Sequence, residues 1–165
     1  CDPKESEKRK NSIIILNIVL ESLLKWFAPI LSFTTEEIFT LINKDKKSIH
    51  LEEFIKFPKS FENIKLNNKW VELKKIRDIC NISIEEKRAS KVIGSSLEAN
   101  LLISINNEQS NFIEDIDLAE LCITSEANII ITNDKEIKVE TQKAVGEKCP
   151  VCWKISKEGC QRHTN

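Results

Sequence analysis

The chain has 165 residues, of which 41% are hydrophobic and 31% are charged, and its formal net charge is −1 at pH 7. These values are ordinary for a globular protein of one or two domains. The most apolar run, residues 13–31, carries Glu21 and Lys25, which excludes a membrane-spanning segment, and no secretory or transit signal is visible. Because the chain contains no Met and opens on Cys1-Asp2-Pro3, we expect it to be a piece of a longer protein.

Two helices are predicted in the first part of the chain. The first runs from Glu5 to Ala28, and its apolar residues recur at three- and four-residue steps, which places them on one face: Leu16, Leu20, Leu23, Leu24 and Phe27. Pro29 ends this helix because its ring has no N–H to donate. The second helix is predicted to start at Thr34, a favourable N-cap residue followed by two glutamates. Two helices separated by a short break indicate a helical bundle.

A long third helix is predicted from about Leu66 to Lys91, after a largely irregular stretch over residues 43–65. Its apolar residues keep a helical period: Leu66, Trp70, Leu73, Ile76, Cys80 and Ile84. Its end is basic, with Lys87, Arg88 and Lys91, as suits the negative end of a helix dipole. Gly94 is predicted to break this helix.

After Gly94 the pattern changes to short β-branched runs separated by polar turns. Strands are predicted at Ala99–Ile105, Leu121–Thr124, Asn128–Thr132 and Ile137–Thr141, with a short helix over Phe112–Leu118. The predicted fold class is therefore α+β: a helical bundle, then a small mixed α/β unit, then a C-terminal zinc knuckle. The predicted domain boundaries are 1–94, 95–145 and 146–165.

The last segment contains two pairs of metal-ligand residues, Cys149-x-x-Cys152 and Cys160-x-x-His163. Thiolates and imidazoles are the ligands that zinc prefers, and four protein ligands make a closed structural site. The alternatives are a redox pair or chance, and a further Cys beyond residue 165 is an alternative fourth ligand. Trp153, directly after the second Cys, either supports the knuckle or stacks on an unpaired base. Six cysteines in this pattern fit a reducing cytoplasm better than a disulfide scaffold.

The charges are distributed unevenly along the chain. Residues 65–91 hold eight Lys/Arg against four Asp/Glu, residues 97–142 hold two against ten, and residues 143–165 hold five against two. A phosphate-backbone partner would be attracted to the two basic segments and repelled by the acidic one. The alternative is that these segments are simply solvated faces.

Three stretches carry a resemblance to a known family: WFAPILSFTTEEIF at residues 26–39, KVIGSSLEA at 91–99 and AVGEKCPVCWK at 144–154. Together and in this order they resemble the C-terminal region of bacterial isoleucyl-tRNA synthetases, which are class I aminoacyl-tRNA synthetases. The resemblance implies a cytoplasmic, monomeric enzyme that activates isoleucine with ATP and transfers it to tRNA(Ile). It also implies that this chain is the rear of the anticodon-binding bundle with one zinc ion.

The resemblance also implies what lies outside this chain. The family's HIGH-like and KMSKS-like signatures are missing here, so ATP and isoleucine would bind upstream, and no catalytic residue is predicted within the chain. The predicted contacts with the anticodon arm are Trp153, Lys154, Lys148, Arg88, Lys91 and Lys87. One departure is that the family's second Cys-x-x-Cys pair is replaced by Cys160-x-x-His163, which leaves the identity of the fourth ligand open.

Two other functions compete with this interpretation. The first is a free-standing, zinc-bearing nucleic-acid-binding protein without catalysis. The second is a helical interaction domain whose cysteines only brace the tail. An open reading frame upstream with the catalytic signatures would favour the synthetase over both, and binding of tRNA would count against the interaction domain.

Overall fold

The computed structural model describes residues 2–45, 47–160 and 163. Residues 2–62 form one compact unit, and the residues from 63 onward form another. Helices and small sheets are both present, which confirms the predicted α+β class. Within the described residues, no helix combines the length and the apolar character that crossing a lipid bilayer requires.

The first unit is built from two helices, α1 (Glu7–Phe27) and α2 (Ser32–Ile42), followed by short 3-10 helices at Ile49–Leu51 and Lys59–Phe61. Its small core consists of Leu24, Ala28, Phe39 and Ile49. Of the five apolar residues predicted on the first helical face, only Leu24 is buried within the described part of the chain. Lys25 and Glu21, one helical turn apart, form an ion pair with 2.8 Å between Nζ and Oε1.

The start of α2 differs from the prediction. The N-cap residue is Leu31 and not Thr34, and no side chain caps this end of the helix. Thr35 donates its hydroxyl to the Leu31 carbonyl at 2.9 Å instead. The carboxylate of Glu36 does not serve the helix end either, because it accepts hydrogen bonds from Ser48 Oγ and the Ile49 N–H, both at 2.9 Å. These bonds hold the first 3-10 helix against α2.

The second unit packs one long helix on a small sheet. Helix α3 (Ile64–Ala89) is capped by Asn63, whose side chain accepts a hydrogen bond from the Leu66 N–H at 3.0 Å. The sheet has three strands in the order β2-β1-β3: β1 (Ala99–Ile105), β2 (Glu126–Ile131) and β3 (Lys138–Lys143). Strand β1 pairs parallel with β2 and antiparallel with β3. The predicted β1 has the observed bounds.

The core of this unit lies between α3 and one face of β1. Alternate residues of β1 are buried, as expected for a strand with one covered face. The helix contributes Leu73, Ile76, Cys80 and Ile84, and the strand contributes Ala99, Leu101, Ile103 and Ile105. The two cysteines in this core, Cys80 and Cys122, are buried thiols. A hydrogen bond with Cys122 and burial raise the pKa of Cys80, which keeps it protonated.

Three local predictions in this unit are wrong. Residues 121–124 are not a strand, because a one-turn helix, α5 (Leu118–Leu121), capped by Asp117, ends at Leu121 and a turn follows it. The predicted helix over 112–118 is absent as well, because residues 112–117 form a turn and a loop between α4 (Asn107–Ser110) and α5. Gly94 does not end α3, which stops at Ala89, and Lys91 then takes a left-handed φ of 57°.

The domain boundaries at residues 94 and 145 stay a prediction. Helix α3, which those boundaries assign to the helical domain, packs on β3 and β1. It also shares a buried hydrogen bond with the sheet, since Ser83 Oγ and Thr141 Oγ1 are 2.7 Å apart. The long helix and the sheet are therefore one packed body, and the last segment of the chain is attached to it.

Candidate metal centre and nucleic-acid interface

A two-stranded hairpin frames the cysteine-rich segment. Strands β4 (Glu147–Lys148) and β5 (Ile155–Ser156) pair antiparallel. Between them the Cys149 N–H donates to the Lys154 carbonyl at 2.9 Å, and the Trp153 N–H donates to the Cys149 carbonyl at 3.0 Å. The turn closes because Trp153 adopts a left-handed φ of 64°. This tight turn brings the two sulfur atoms of the first pair to the same side.

The structure brings the four predicted ligand residues together. The ligand atoms of Cys149, Cys152, Cys160 and His163 all lie within 4.8 Å of one another. The Sγ atoms of Cys152 and Cys160 are 3.6 Å apart. His163 Nδ1 lies 3.6 Å from Cys149 Sγ and 3.2 Å from Cys160 Sγ. This group can hold a metal ion.

The spacing of these atoms fits a tetrahedral ion. Zn–S bonds of about 2.3 Å and Zn–N bonds of about 2.0 Å at tetrahedral angles separate two sulfurs by about 3.8 Å and a sulfur from a nitrogen by about 3.5 Å. Two of the three measured separations agree within about 0.2 Å with those values. The Cys160 Sγ to His163 Nδ1 separation of 3.2 Å is about 0.3 Å shorter than the tetrahedral value.

Hydrogen bonds and burial shift the pKa values of the residues in the cluster. Hydrogen bonds from the backbone N–H groups of Cys152 and Val151 lower the pKa of Cys149 to about 6. Removal from water raises the pKa of Cys152. The hydrogen bond with Cys160 raises the pKa of His163. Since the thiolate is the form that binds metals, the turn prepares Cys149 in particular as a ligand.

Trp153 lies on the outside of the knuckle, with 58% of its surface exposed. Lys148 Nζ stands 5.9 Å from the centre of the indole ring, at the outer limit of a cation–π contact. The neighbouring Val151 is also exposed. An exposed flat ring with a cation beside it is a suitable surface for a stacked base and its phosphate.

The other predicted contact residues lie on two parts of the second unit. Lys154 is half-buried, between the knuckle turn and β5. Lys87 and Arg88 lie in the last turn of α3, and Lys91 lies beyond it and is exposed. Arg88 Nη1 forms an ion pair with Glu85 at 2.7 Å, which offsets part of its charge.

Two residues at this site were missed by the sequence analysis. Ser125 bonds both to the segment before β1 and to β5 through its hydroxyl. Gly146 has a φ of 137°, and a Cβ there would lie 2.3 Å from the backbone of Ser156. Its position just before a Cys-x-x-Cys pair was a usable signal for a tight approach. Nothing in the local sequence marks Ser125.

Comparison with known proteins decides the family. The model of the anticodon-binding domain of tRNA ligases matches residues 2–103. The chain belongs to this family. The match covers the whole first unit, α3 and most of β1, so the anticodon-binding domain accounts for the helical part of the chain.

Relatives extend the likeness through the knuckle. The isoleucine–tRNA ligase of Pelagibacter ubique (strain HTCC1062) is 63% identical over 165 residues, which is 100% of this chain and 18% of that protein. The isoleucine–tRNA ligase of Bartonella henselae is 34% identical over 169 residues, with 96% of this chain and 17% of the relative covered. The isoleucine–tRNA ligase of Rhodopseudomonas palustris is 35% identical over 170 residues, which cover 94% of this chain and 17% of that protein. The chain spans less than a fifth of the length of these curated relatives.

Proposed function

We propose that the protein containing this chain is an isoleucine–tRNA ligase, which activates isoleucine with ATP and transfers it to tRNA(Ile). In this proposal the chain is the C-terminal part that binds the anticodon arm, and ATP and isoleucine bind in domains outside it. The carrying observation is that isoleucine–tRNA ligases match the chain from end to end, with the anticodon-binding family covering residues 2–103. A free-standing nucleic-acid-binding protein is less favoured, because the matching relatives are several times longer than this chain.

We propose that the metal ion is zinc, one per chain, held by Cys149, Cys152, Cys160 and His163. Three sulfurs and one nitrogen within 4.8 Å of one another support this choice. With all four positions supplied by the protein, zinc would cross-link the hairpin to the end of the chain and would leave no open position for a substrate. Its role is therefore structural, and the chemistry of aminoacylation lies elsewhere.

The proposed tRNA contacts are of two kinds, stacking of a base on an aromatic ring and attraction of phosphates to basic side chains. Trp153 offers an exposed indole on which an unstacked anticodon base can lie, as single-stranded bases do on aromatic side chains. Lysines and arginines position an RNA through its phosphates without reading its sequence. In this role we place Lys148 and Lys154 on the knuckle, and Lys87, Arg88 and Lys91 at the end of α3.

Replacing Trp153 tests this assignment in the full-length ligase. Trp153→Ala should weaken tRNA binding by roughly tenfold, the loss expected when one base loses its aromatic platform. Adenylate formation, measured by isoleucine-dependent pyrophosphate exchange, should remain unchanged. Trp153→Phe should retain most of the affinity, and Val151→Ala, at an equally exposed position on the same turn, serves as the matched control. Equal losses in adenylate formation and tRNA charging would refute the proposed contact.

We further propose that the full-length protein is a cytoplasmic monomer. A reducing compartment suits a cluster of thiol ligands and the buried thiols of Cys80 and Cys122. Light scattering on the full-length protein in the presence and absence of tRNA tests the oligomeric state. A stable dimer in the absence of tRNA would contradict this part of the proposal.

A further inference from the structure

The hydroxyl of Ser125 joins two segments that are distant in sequence. Ser125 lies directly before β2, and its backbone N–H donates to the Ala99 carbonyl at 3.1 Å. Its Oγ donates to the Leu97 carbonyl at 2.5 Å. The same Oγ accepts the Ile155 N–H at 2.6 Å. One side chain therefore links the start of the sheet to strand β5 of the knuckle.

A second hydrogen bond lies where the chain passes from the sheet to the knuckle. The Ala144 N–H donates to the Glu98 carbonyl at 2.7 Å, where the chain leaves β3. Beyond this point Val145 is exposed, and an open cleft of about 330 Å³ lies beside Ser125, Val145 and Ile155. Side chains leave this cleft open, so the Ile155 N–H bond to Ser125 is a directed contact between the hairpin and the sheet at this place.

The Ser125 bridge reaches the hairpin close to Trp153. Ile155 is two residues beyond Trp153, in the strand that follows the knuckle turn. Both partners of the Ser125 hydroxyl are backbone groups, so their positions are fixed by the chain and not by a rotamer. A hydroxyl suits this place because it donates and accepts at the same time.

We propose that Ser125 is a positioning residue, which sets the orientation of the metal knuckle on the sheet and thereby places Trp153 for the anticodon arm. This inference rests on the proposed function of the chain. The Ser125 hydroxyl bonds to backbone groups of Leu97 and Ile155, so it acts through the strand that carries Ile155. A mutation here changes the direction in which the knuckle points and leaves the metal ligands intact.

The test uses the full-length ligase with Ser125→Ala. Metal content and melting temperature should stay at the wild-type values, because the ligands and the core are unchanged. Hydrogen exchange, followed by mass spectrometry, should become roughly threefold to tenfold faster in peptides covering residues 144–160, the size expected for losing a partly exposed hydrogen-bond bridge. Ser125→Thr retains the hydroxyl and should restore slow exchange. Ser156→Ala is the matched control, because the hydroxyl of this hairpin serine accepts the N–H of Glu158, two residues further along the same segment, at 3.4 Å.

A double-mutant cycle connects the bridge to RNA binding. Ser125→Ala should weaken tRNA binding by about threefold to tenfold, and Ser125→Ala with Trp153→Ala should bind no more weakly than Trp153→Ala alone, because both changes remove the same placed ring. Additive losses would overturn the positioning role. Loss of the metal in Ser125→Ala, or unchanged exchange in residues 144–160, would overturn it as well.

Failure of the positioning role and failure of the proposed function give different results. If the wild-type protein did not bind tRNA, the function would be refuted, while the exchange measurement would still report whether Ser125 fixes the hairpin. If tRNA bound normally and Ser125→Ala changed neither exchange nor affinity, only the positioning role would be refuted.

Discussion

A buried hydrogen bond between helix α3 and strand β3 predicts how mutations at its two ends change the free energy of unfolding. Ser83 Oγ and Thr141 Oγ1 lie 2.7 Å apart, and both residues are buried. Thr141→Val keeps the shape of the side chain and removes the hydroxyl, whereas Ser83→Ala removes the partner. A buried hydroxyl left without its partner costs about 1–3 kcal/mol, but replacing both hydroxyls by apolar groups is nearly neutral.

The two single mutants should not cost the same. After Thr141→Val, the Ser83 hydroxyl can turn to the carbonyl four residues earlier in α3, as serines in helices do. After Ser83→Ala, the Thr141 hydroxyl has no carbonyl one helical turn away to which it can turn, because Thr141 lies in the strand β3. We therefore expect Ser83→Ala to cost about 2–3 kcal/mol and Thr141→Val about 1 kcal/mol. The double mutant should cost less than Ser83→Ala alone.

Native-state hydrogen exchange measures these differences in the unit to which the bond belongs. The slowest amides of α3 and β1 report the free energy of opening that unit, without requiring the whole protein to unfold in one step. The wild type, both single mutants and the double mutant complete the cycle. A double-mutant cost equal to the sum of the single costs would refute the reasoning. So would a larger cost for Thr141→Val than for Ser83→Ala.

Three further predictions concern the metal, the core and the hairpin. Cys149→Ser should abolish the binding of one metal ion per chain in elemental analysis, while Cys122→Ala, a buried cysteine outside the cluster, should retain it. Leu73→Ala, at a fully buried position, should lower the free energy of unfolding of the second unit by about 2–5 kcal/mol in the same exchange experiment, and a loss below about 1 kcal/mol would contradict the assigned core. Gly146→Ala should disrupt the β4–β5 hairpin, because its Cβ would lie 2.3 Å from the backbone of β5, and NMR amide shifts of the hairpin would show this. Gly159→Ala, at a φ of 81° in open space, should cost only about 1 kcal/mol, and equal effects of the two glycine changes would contradict the steric argument.

The long elements were predictable because their local pattern and their burial coincide. The helical period of Leu73, Ile76, Cys80 and Ile84 is the same stripe that α3 buries against the sheet. In the same way, β1 was predicted with its observed bounds, since alternate residues of this strand are buried. In both cases the local sequence pattern and the tertiary contacts favour the same structure. The pattern alone therefore predicts the element correctly.

The segment around Leu121 was mispredicted because four residues cannot distinguish a strand from a helical turn. Leu-Cys-Ile-Thr is rich in apolar and β-branched residues, which favours a strand. In the structure, Asp117 caps a helical turn, and its side chain accepts the Glu120 N–H at 3.1 Å. The turn places Leu118 and Cys122 in the core. Burial of these two side chains outweighs the weak strand preference of the residues between them.

The metal cluster and its attachment differ in how far apart their parts lie in the sequence. Three ligands fall within 12 residues of one another, and the turn that gathers the first two, Cys149 and Cys152, is closed by bonds between Cys149, Trp153 and Lys154. Such a site is readable from spacing, because the local backbone builds it. The bond from the Ile155 N–H to Ser125 spans 30 residues and joins segments that only the tertiary fold brings together. No local pattern can reveal a contact of that kind.

This difference has a consequence for function. The cluster can gather its ligands locally and thus can stiffen the knuckle, but stiffness alone does not direct Trp153 toward an RNA. In the proposed role of Ser125, direction comes from the long-range bonds of Ser125 and Ala144 to the segment that precedes β1, and from the bond between Ser125 and Ile155. That segment is the GSSLEA stretch by which the chain resembles its family, and it contributes no ligand atom and no exposed aromatic side chain. If Ser125 has the proposed role, this segment contributes to RNA binding through the carbonyl groups of Leu97 and Glu98, which accept hydrogen bonds from Ser125 and Ala144.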